Sequence, residues 1–363
     1  MRASRDDLLR MRRLAQAIDG PREPDPAAVA RRMLAVQGQD FAAGCWALAL
    51  RSEGARQSDV LAALDTGTVI RSWPMRGTLH FVPPEDLRWM LSVTTDRLLA
   101  GLGRRQEQLG LTAADFAHAA DVVTGVLSGG RSIGRANLME VWERAGIATT
   151  GQRGYHLIYY LAQTGLLCWG PVVFAGNGNP SQALVLLDEW APAPPPLDPD
   201  EAISRYLFRY LAGHGPATVR DFVWWIKGTV GGAKTARAVL GDALTMLEVD
   251  GVEYLVTAEL ADRAAATPAT RAEREAVQLL PAFDEYLLGY QDRSPILDEG
   301  HFELIVPGGN GVFQPIIVAG GRVVGTWRRD NGRAVPQPFG ELSAARRTRL
   351  DRAATAYARY AAG

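Results

Sequence analysis

One order of predicted elements recurs along this chain and constrains its fold more than any other feature. Residues 109–190 contain three helix-like segments followed by two strand-like segments, and residues 200–257 repeat that order. Residues 1–108 fit the same pattern. Because helix, turn, helix, helix, hairpin is the order of a winged helix-turn-helix, the sequence predicts three tandem winged units in a helix-rich α+β chain.

The remaining segments connect or follow these units. Residues 191–199, APAPPPLDP, contain five prolines in nine positions and predict a stiff linker. In residues 258–363 the pattern changes to mixed helix and strand. There, residues 301–330 predict a β-meander with glycine turns, and SAARRTRLDRAATAYARYAAG predicts a closing basic helix.

Local signals set the bounds of individual elements. Proline predicts a helix start near Pro24 or Pro26, and this helix runs through VARRMLAV and ends at Gln37-Gly38-Gln39. SDVLAALDTG predicts a short helix after it, and the alternation in RSWPMRGTLHFV predicts a strand. Asp250-Gly251 predicts a hairpin turn. The S/T-x-x-D spacing of a capping box marks three further helix starts, at Ser4 with Asp7, Thr112 with Asp115 and Thr218 with Asp221.

The charge is balanced overall but segregated along the chain. The 39 basic and 40 acidic residues give a net charge of −1, which excludes a protein that coats nucleic acid by bulk electrostatics. Residues 320–363 hold nine arginines against three acids, whereas residues 242–303 hold fourteen acids against four arginines. Since DNA affinity depends on the phosphates contacted locally, we expect a locally positive surface on a neutral protein.

Several classes of protein are disfavoured by what the sequence lacks. It has no run of about 18 apolar residues, and MRASRDDLLRMRRL is not a signal peptide. Cys45 and Cys168 are too few for a disulfide framework, and neither they nor the five scattered histidines have metal-ligand spacing. We therefore expect a cytoplasmic protein with no membrane segment, no metal and no cofactor.

The strongest candidate for chemistry is Gln37-Gly38-Gln39-Asp40, directly after the apolar run MLAV. Two glutamines separated by one residue in extended backbone point the same way. Each amide offers two donors and one carbonyl acceptor, so the pair can hold a water and direct carbonyl dipoles at a developing positive charge. From these residues alone, a solvated helix end is an open alternative, and Asp40 is a competing candidate for activating the water.

Four blocks of sequence resemble a known family. VQGQD, RSWPMRGTLHFVPPEDL, LLPAFDEYLLGYQDRS and GVFQPIIVAGGRVVGTWRR, in this order and spacing, are similar to the winged-helix DNA glycosylases with AlkZ-like and YcaQ-like branches. The resemblance covers essentially the whole chain. It implies three winged-helix units arranged as a C around a cationic channel. Gln37 and Gln39 match the Gln-x-Gln pair of the AlkZ-like branch, with Gly38 in place of the usual aliphatic residue.

The resemblance also implies a reaction. It points to a monofunctional glycosylase that hydrolyses the N-glycosidic bond of bulky N7-alkylated purines in double-stranded DNA, with interstrand cross-links as a further substrate class. Gln37 and Gln39 are its implied catalytic residues. AlkZ-like members are associated with self-resistance to DNA-alkylating natural products, so general repair and dedicated self-resistance are both open roles.

Other residues are candidates for DNA contacts. Arginines beside strands and at a helix start suit phosphate binding, although Arg76 and His80 fit buried ties between helix and strand equally well. Trp224 and Trp225 are expected in the core. The candidates for DNA contacts are Arg71, Arg76, His80, Arg153, Trp327, Arg328 and Arg329.

Two other functions fit parts of the sequence. A non-catalytic winged-helix regulator would bind a specific operator, but regulators usually dimerise, and this chain carries three predicted winged units and no evident dimerisation helix. A drug-sequestering resistance protein would bind the free alkylating agent without DNA. We expect a monomer.

Overall fold

The computed structural model describes residues 1–174, 178–191 and 194–363. The chain forms two compact units: Met1–Val60 with Ile203–Gly363, called unit 1, and Leu61–Ala202, called unit 2. The helices are α1 Arg5–Ala15, α2 Pro26–Met33, α3 Phe41–Ala49, α4 Gln57–Asp65, α5 Leu87–Ala100, α6 Gly103–Leu109, α7 Ala113–Leu127, α8 Arg135–Arg144, α9 Arg153–Gln163, α10 Leu187–Trp190, α11 Pro199–His214, α12 Val219–Ile226, α13 Val230–Leu240, α14 Ala258–Ala266, α15 Arg271–Arg274, α16 Glu285–Leu288, α17 Phe302–Ile305 and α18 Ala344–Ala361. The strands are β1 Val36–Gln37, β2 Ile70–Met75, β3 Thr78–Val82, β4 Leu167–Phe174, β5 Pro180–Leu186, β6 Leu244–Val249, β7 Val252–Thr257, β8 Val277–Leu280, β9 Ile316–Ala319, β10 Arg322–Asp330 and β11 Arg333–Pro338.

Unit 2 has the predicted succession of α7, α8 and α9 followed by the hairpin β4–β5. The capping box at Thr112 and Asp115 is confirmed at the start of α7. The strands form an antiparallel sheet in the order β3-β2-β4-β5. The indoles of Trp73 and Trp142 are fully buried in the core, which forms because α7 and α9 pack their apolar faces against this sheet.

The predicted single strand at residues 71–82 is wrong, because the chain forms the hairpin β2–β3 there. Arg76 and Gly77 make its turn, with φ values of 56° and 70°. Polar and apolar residues alternate in β3, whereas all six residues of β2 are buried, so neither pattern marks the turn between the strands. Only the glycine at position 77 signalled the reversal.

In unit 1, the capping box at Ser4 and Asp7 is confirmed at the start of α1. The prediction that the next helix runs to Gln37 is wrong: α2 ends at Met33, and Leu34 has a φ of 62°. Leu34 and Val36 are both buried. The apolar run MLAV therefore reflects burial of the chain beyond the helix and not a continuing helical face.

One helix of unit 1 went unpredicted. The segment Phe41–Ala49 forms α3, which Asp40 caps at its N-terminus. α4 agrees with the predicted helix SDVLAALDTG. The carboxylate before FAAGCWALA was the available signal, since aspartate is a preferred N-cap residue.

The succession α11, α12, α13 and the hairpin β6–β7 follows the order predicted for residues 200–257. The capping box at Thr218 and Asp221 starts α12, and Asp250 and Gly251 form the hairpin turn as predicted. Trp225 lies in the core, fully buried.

The C-terminal residues form an antiparallel sheet in the order β11-β10-β9-β8, against which α18 packs. The closing helix is confirmed. The predicted meander is right only from β9 onward, because residues 301–305 belong to 3₁₀ and α-helical turns. Ile305 and Val306 are buried while Phe302 and Leu304 are exposed, so this short apolar stretch does not distinguish helix from strand by its periodicity.

The sequence segments and the compact units divide the chain at different places. The predicted boundary near residue 108 falls inside unit 2, and the one near residue 257 falls inside unit 1. The division into 1–108, 109–190, 200–257 and 258–363 stays a prediction about sequence segments. Within the predicted linker 191–199, residues 192–193 lie outside the described residues.

Candidate active site

Gln37 and Gln39 lie on either side of a bend at the end of β1. Gln37 is buried, with 7 % of its surface exposed, and Gln39 is exposed. The side-chain Oε1 of Gln37 accepts a hydrogen bond from the backbone N–H of Gln39 at 2.8 Å. β1 ends at Gln37 and the two amides differ in exposure, whereas the expectation that both side chains point the same way stays a prediction.

Asp40 links this bend to the next helix. Its Oδ1 accepts a hydrogen bond from the N–H of Ala43 at 3.0 Å, and its backbone carbonyl accepts from Gly44 at the same distance. The carboxylate therefore satisfies an N–H group at the N-terminus of α3, where negative charge is also favoured by the helix dipole.

Aromatic contacts fix α3 to the closing helix. The ring of Trp46 lies 5.1 Å from that of Tyr357 and 4.9 Å from that of Tyr360, between ring centroids. Its indole N–H donates to the carbonyl oxygen of Leu279 in β8 at 2.9 Å. The Gln-x-Gln bend thus precedes a helix held from two sides, which limits how far the bend can move.

The segment Trp327-Arg328-Arg329 lies at the end of β10. Trp327 is in the core: its ring centroid is 4.8 Å from that of Tyr357, and its indole N–H donates to Leu280 at 2.7 Å. Arg328 and Arg329 are exposed. The structure therefore leaves the two arginines on the surface and assigns the indole to packing.

Tyr357 connects this segment with the bend. Burial raises the pKa of its phenol, the negative charge of Asp40 raises it further, and the positive charge of Arg329 lowers it. The charges of Arg329 and Asp40 therefore both act on this phenol, although the two residues belong to segments far apart in the sequence.

In unit 2, three of the predicted DNA-contact residues surround the hairpin β2–β3. The guanidinium of Arg71 is 5.9 Å from the ring centroids of both Phe81 and Trp169. Arg76 donates to Nε2 of His80 at 3.0 Å, and Nδ1 of the same ring donates to the carbonyl of Thr78 at 2.8 Å.

Because Nε2 of His80 accepts from a guanidinium, the fully buried ring is a neutral imidazole with its proton on Nδ1. These contacts are those of a buried tie within the hairpin. A DNA-binding role for Arg71, Arg76 and His80 stays a prediction.

Arg153 begins α9 and holds the adjacent turns together. Its guanidinium donates to the carbonyls of Ala148 at 3.0 Å and Gly110 at 2.9 Å and to that of Leu109, and it lies 3.6 Å from a carboxylate oxygen of Asp115. Such a network positions the helix start, so a phosphate contact by Arg153 also stays a prediction.

Unit 1 also contains a buried ion pair that sequence reasoning missed. Both guanidinium nitrogens of Arg51 donate to Asp284, at 2.8 and 2.9 Å, and both side chains are 1 % exposed. The neighbouring carboxylate of Glu285 accepts the indole N–H of Trp225 at 2.8 Å. The acidic pair in LLPAFDEYLLGY is therefore structural, and its place within an apolar run was the available signal.

Two features are absent from the described residues. Among residues 1–174, 178–191 and 194–363, no three His, Cys, Asp or Glu side chains gather in a way that could hold a metal ion. Within the same ranges, no helix has the length and apolar character needed to cross a membrane.

Comparison with known proteins gives both the class, the DNA glycosylases, and the family. The chain matches the model of the family described as DNA glycosylase AlkZ-like over residues 30–360, and it belongs to that family. The predicted family is thereby confirmed, and the protein is a DNA glycosylase, an enzyme that cleaves N-glycosyl bonds. Membership of this family argues against the alternative function, a non-catalytic winged-helix regulator that binds an operator.

A sequence match and a structural match, both from Streptomyces sahachiroi, bear this out. The chain is 27 % identical to an interstrand DNA cross-link repair glycosylase over 359 residues, which cover 93 % of this chain and 91 % of the relative. The solved structure of the DNA glycosylase AlkZ matches with a TM-score of 0.82 at 26 % identity, covering 100 % of this chain and 98 % of that one.

Proposed function

We propose that this glycosylase removes bulky N7-alkylated purines from double-stranded DNA, including purines joined in interstrand cross-links, with Gln37 and Gln39 as its catalytic residues. The cross-link activity named for the Streptomyces relative supports the substrate class. The proposal includes three tandem winged-helix units, action as a cytoplasmic monomer without metal or cofactor, and a role either in general DNA repair or in self-resistance to a DNA-alkylating natural product.

The chemistry suits amide side chains. An N7-alkylpurine is already cationic, so it leaves as a neutral base without a general acid. The deoxyribose then approaches an oxocarbenium ion, whose positive charge a preoriented carbonyl dipole stabilises, while the same amide positions the attacking water. The C–O bond forms from this water, and the proton it loses passes to solvent. A carboxylate base is therefore not required.

The hydrogen bond between Gln39 N–H and Gln37 Oε1 is the observation that carries the proposal. Through this bond the buried amide oxygen of Gln37 holds the backbone of the bend in place, so we assign to Gln37 the ordering of the bend. Gln39, whose side chain is exposed, is the residue we place against the sugar and water. A rigid bend keeps this carbonyl oriented before the substrate arrives, which is the condition for electrostatic catalysis.

For the DNA contacts we favour Arg328 and Arg329. They are exposed at the end of β10, and the charges of both Arg329 and Asp40 of the bend act on the phenol of Tyr357. Guanidinium groups there would hold the phosphates beside the damaged nucleotide. A cross-linked purine cannot swing freely out of the duplex, because it is bonded to the opposite strand. We therefore propose that the enzyme acts on it within the duplex, without base flipping.

The test is release of the modified base from a duplex oligonucleotide with one defined N7-alkylguanine, and from its cross-linked counterpart. We expect wild type to release the base and the Gln37→Ala/Gln39→Ala double variant to fall to the uncatalysed rate. Gln108→Ala, an exposed glutamine on α6, is the matched control and should keep wild-type activity. Equal rates for wild type and the double variant would overturn the proposal.

A further inference from the structure

A second concave site lies in unit 1, and neither Gln37 nor Gln39 lines it. It is a cleft of about 500 Å³ between α18 and the loops that follow α1 and α3. Trp46 and Ala49 of α3 form part of its floor, so the cleft adjoins the C-terminal half of the helix whose N-terminus follows the glutamine pair. Its volume lies within the range of small-molecule sites.

Positive charges outnumber negative ones along this cleft. Arg22 lies on the loop side, and Arg349, Arg352 and Arg359 line the side formed by α18, against the single carboxylate of Asp19. Asp19 already accepts the Nε–H of Arg13 at 3.1 Å. In the part of the chain that the structure describes, none of the four arginines has a carboxylate within 4.0 Å. The cleft is therefore an uncompensated cationic site.

Arg22 shows this lack of compensation most clearly. Burial and the nearby charge of Arg51 lower its pKa to about 10, against a smaller raising effect of Asp19. A guanidinium is seldom perturbed in this way, because its charge is normally paired or hydrated. An anion bound in the cleft would favour the charged form.

The spacing along α18 explains how the cleft stays open. Arg349, Arg352 and Arg359 are three and seven residues apart, so they follow one face of the helix over about 15 Å. Ala353 and Ala356 lie on the same face and also line the cleft. Their small side chains leave room for a flat group between the flanking arginines.

We propose that this cleft binds a nucleotide unit. Its arginines would hold the phosphate, because the planar guanidinium fork matches phosphate oxygens in bidentate geometry. The base would lie on the apolar floor of alanines, beside the edges of Trp46 and Tyr360. The nucleotide has two sources, a free mononucleotide or one nucleotide of a DNA strand. The proposal does not depend on the function assigned to Gln37 and Gln39.

The experiment is calorimetric titration of the full chain with dGMP, with inorganic phosphate and with a short single-stranded oligonucleotide. Arg352→Glu and Arg359→Glu reverse charges that line the cleft, and both residues are exposed, so the variants should fold. Arg347→Glu makes the same change on α18 outside the cleft and is the matched control. We expect each cleft variant to weaken nucleotide binding about tenfold or more and the control to change it less than about twofold.

A second variant tests the floor. Ala356→Leu adds bulk to the cleft without changing its charge, so it should weaken dGMP binding while leaving the binding of inorganic phosphate nearly unchanged.

Comparing the affinities for dGMP and for the oligonucleotide identifies the source of the bound nucleotide. Tight binding of dGMP with these variant effects supports a free mononucleotide, and tighter binding of the oligonucleotide with the same effects supports a DNA strand. Three results would overturn the proposal: no saturable binding of either ligand, equal effects of Arg352→Glu and Arg347→Glu, or phosphate binding as tightly as dGMP.

Discussion

The side-chain carbonyl of Gln37 accepts the backbone N–H of Gln39 at 2.8 Å, so the two glutamines of the Gln-x-Gln pair are not equivalent in the structure. One is buried and shapes the bend, and the other is exposed. Treating them as an equivalent pair would miss this asymmetry, which has a measurable consequence for each residue separately.

Single substitutions should separate stability from catalysis. We expect Gln39→Ala to lower the rate of base release roughly 10²- to 10³-fold, the effect of losing one preoriented dipole, with little change in melting temperature. Gln37→Ala should lower the rate as well and also cost about 1 kcal/mol of unfolding free energy, since the hydrogen bond to Gln39 is lost. Single-turnover base release and thermal melting measure the two effects. Full activity of Gln39→Ala would contradict this division.

Variants of Asp40 distinguish its capping of α3 from a role in activating the water. Asp40→Asn keeps an oxygen that accepts the N–H of Ala43, so we expect its stability and most of its base release to match wild type. Asp40→Ala removes the cap and should destabilise the protein by about 1 kcal/mol. If Asp40→Asn is stable but inactive, the carboxylate itself takes part in the reaction. Denaturant unfolding alongside base release distinguishes these cases.

The buried pair of Arg51 and Asp284 should dominate the local stability of unit 1. Arg51→Leu leaves a carboxylate unpaired at 1 % exposure, and we expect a loss of about 3–5 kcal/mol in urea unfolding. Arg328→Ala, which breaks the exposed pair with Asp330, is the control and should change stability little. Equal losses in the two variants would show that burial is not the cause.

Unit 2 should lose stability in mild acid through His156. Burial, and secondarily the charge of Arg105, lowers the pKa of this imidazole below its ordinary value of 6.5. The unfolded chain therefore binds more protons than the folded one, so stability falls as the pH drops below about 6.5. Melting temperature against pH should show this slope in wild type and in the exposed-residue control His118→Gln. His156→Phe should reduce it, and an unchanged slope in that variant would refute the assignment.

Arg328 and Arg329 should govern the salt dependence of DNA binding. If each contacts one phosphate, Arg328→Gln and Arg329→Gln will each reduce the slope of log affinity against log salt by about one. Arg144→Gln replaces an exposed arginine on α8 that pairs with Glu140, and it should leave the slope unchanged. Fluorescence anisotropy of a duplex over a salt series gives the slopes. If neither Arg328→Gln nor Arg329→Gln changes this slope, the DNA phosphates do not contact these two arginines.

Sequence signals that span only a few residues were enough to predict part of this fold. The capping boxes at Ser4, Thr112 and Thr218 and the turn at Asp250 are where the sequence predicts them. Each depends on groups within three or four positions of one another, so the local sequence contains the whole interaction. The Gln-x-Gln motif and its family were recognisable for the same reason, as short blocks in a fixed order.

Local sequence could not set the end of α2 or the reversal at Arg76. Leu34 adopts a φ of 62° because burial of all four residues of MLAV outweighs the helical preference of that run. The hairpin β2–β3 forms within a larger sheet, where pairing with neighbouring strands decides between one long strand and two short ones.

The roles of the arginines depend most on tertiary structure. By sequence, Arg51 and Arg328 are the same residue type in similar surroundings, yet one is buried against a carboxylate 233 positions away and the other is in solvent. The cleft beside α18 likewise exists only where Arg22 and Arg352 are brought to opposite sides of one space. The sequence determined the motifs, the caps and the family. The long-range packing decided which charges are buried, paired or available, because burial and pairing are set by contacts between distant segments of the chain.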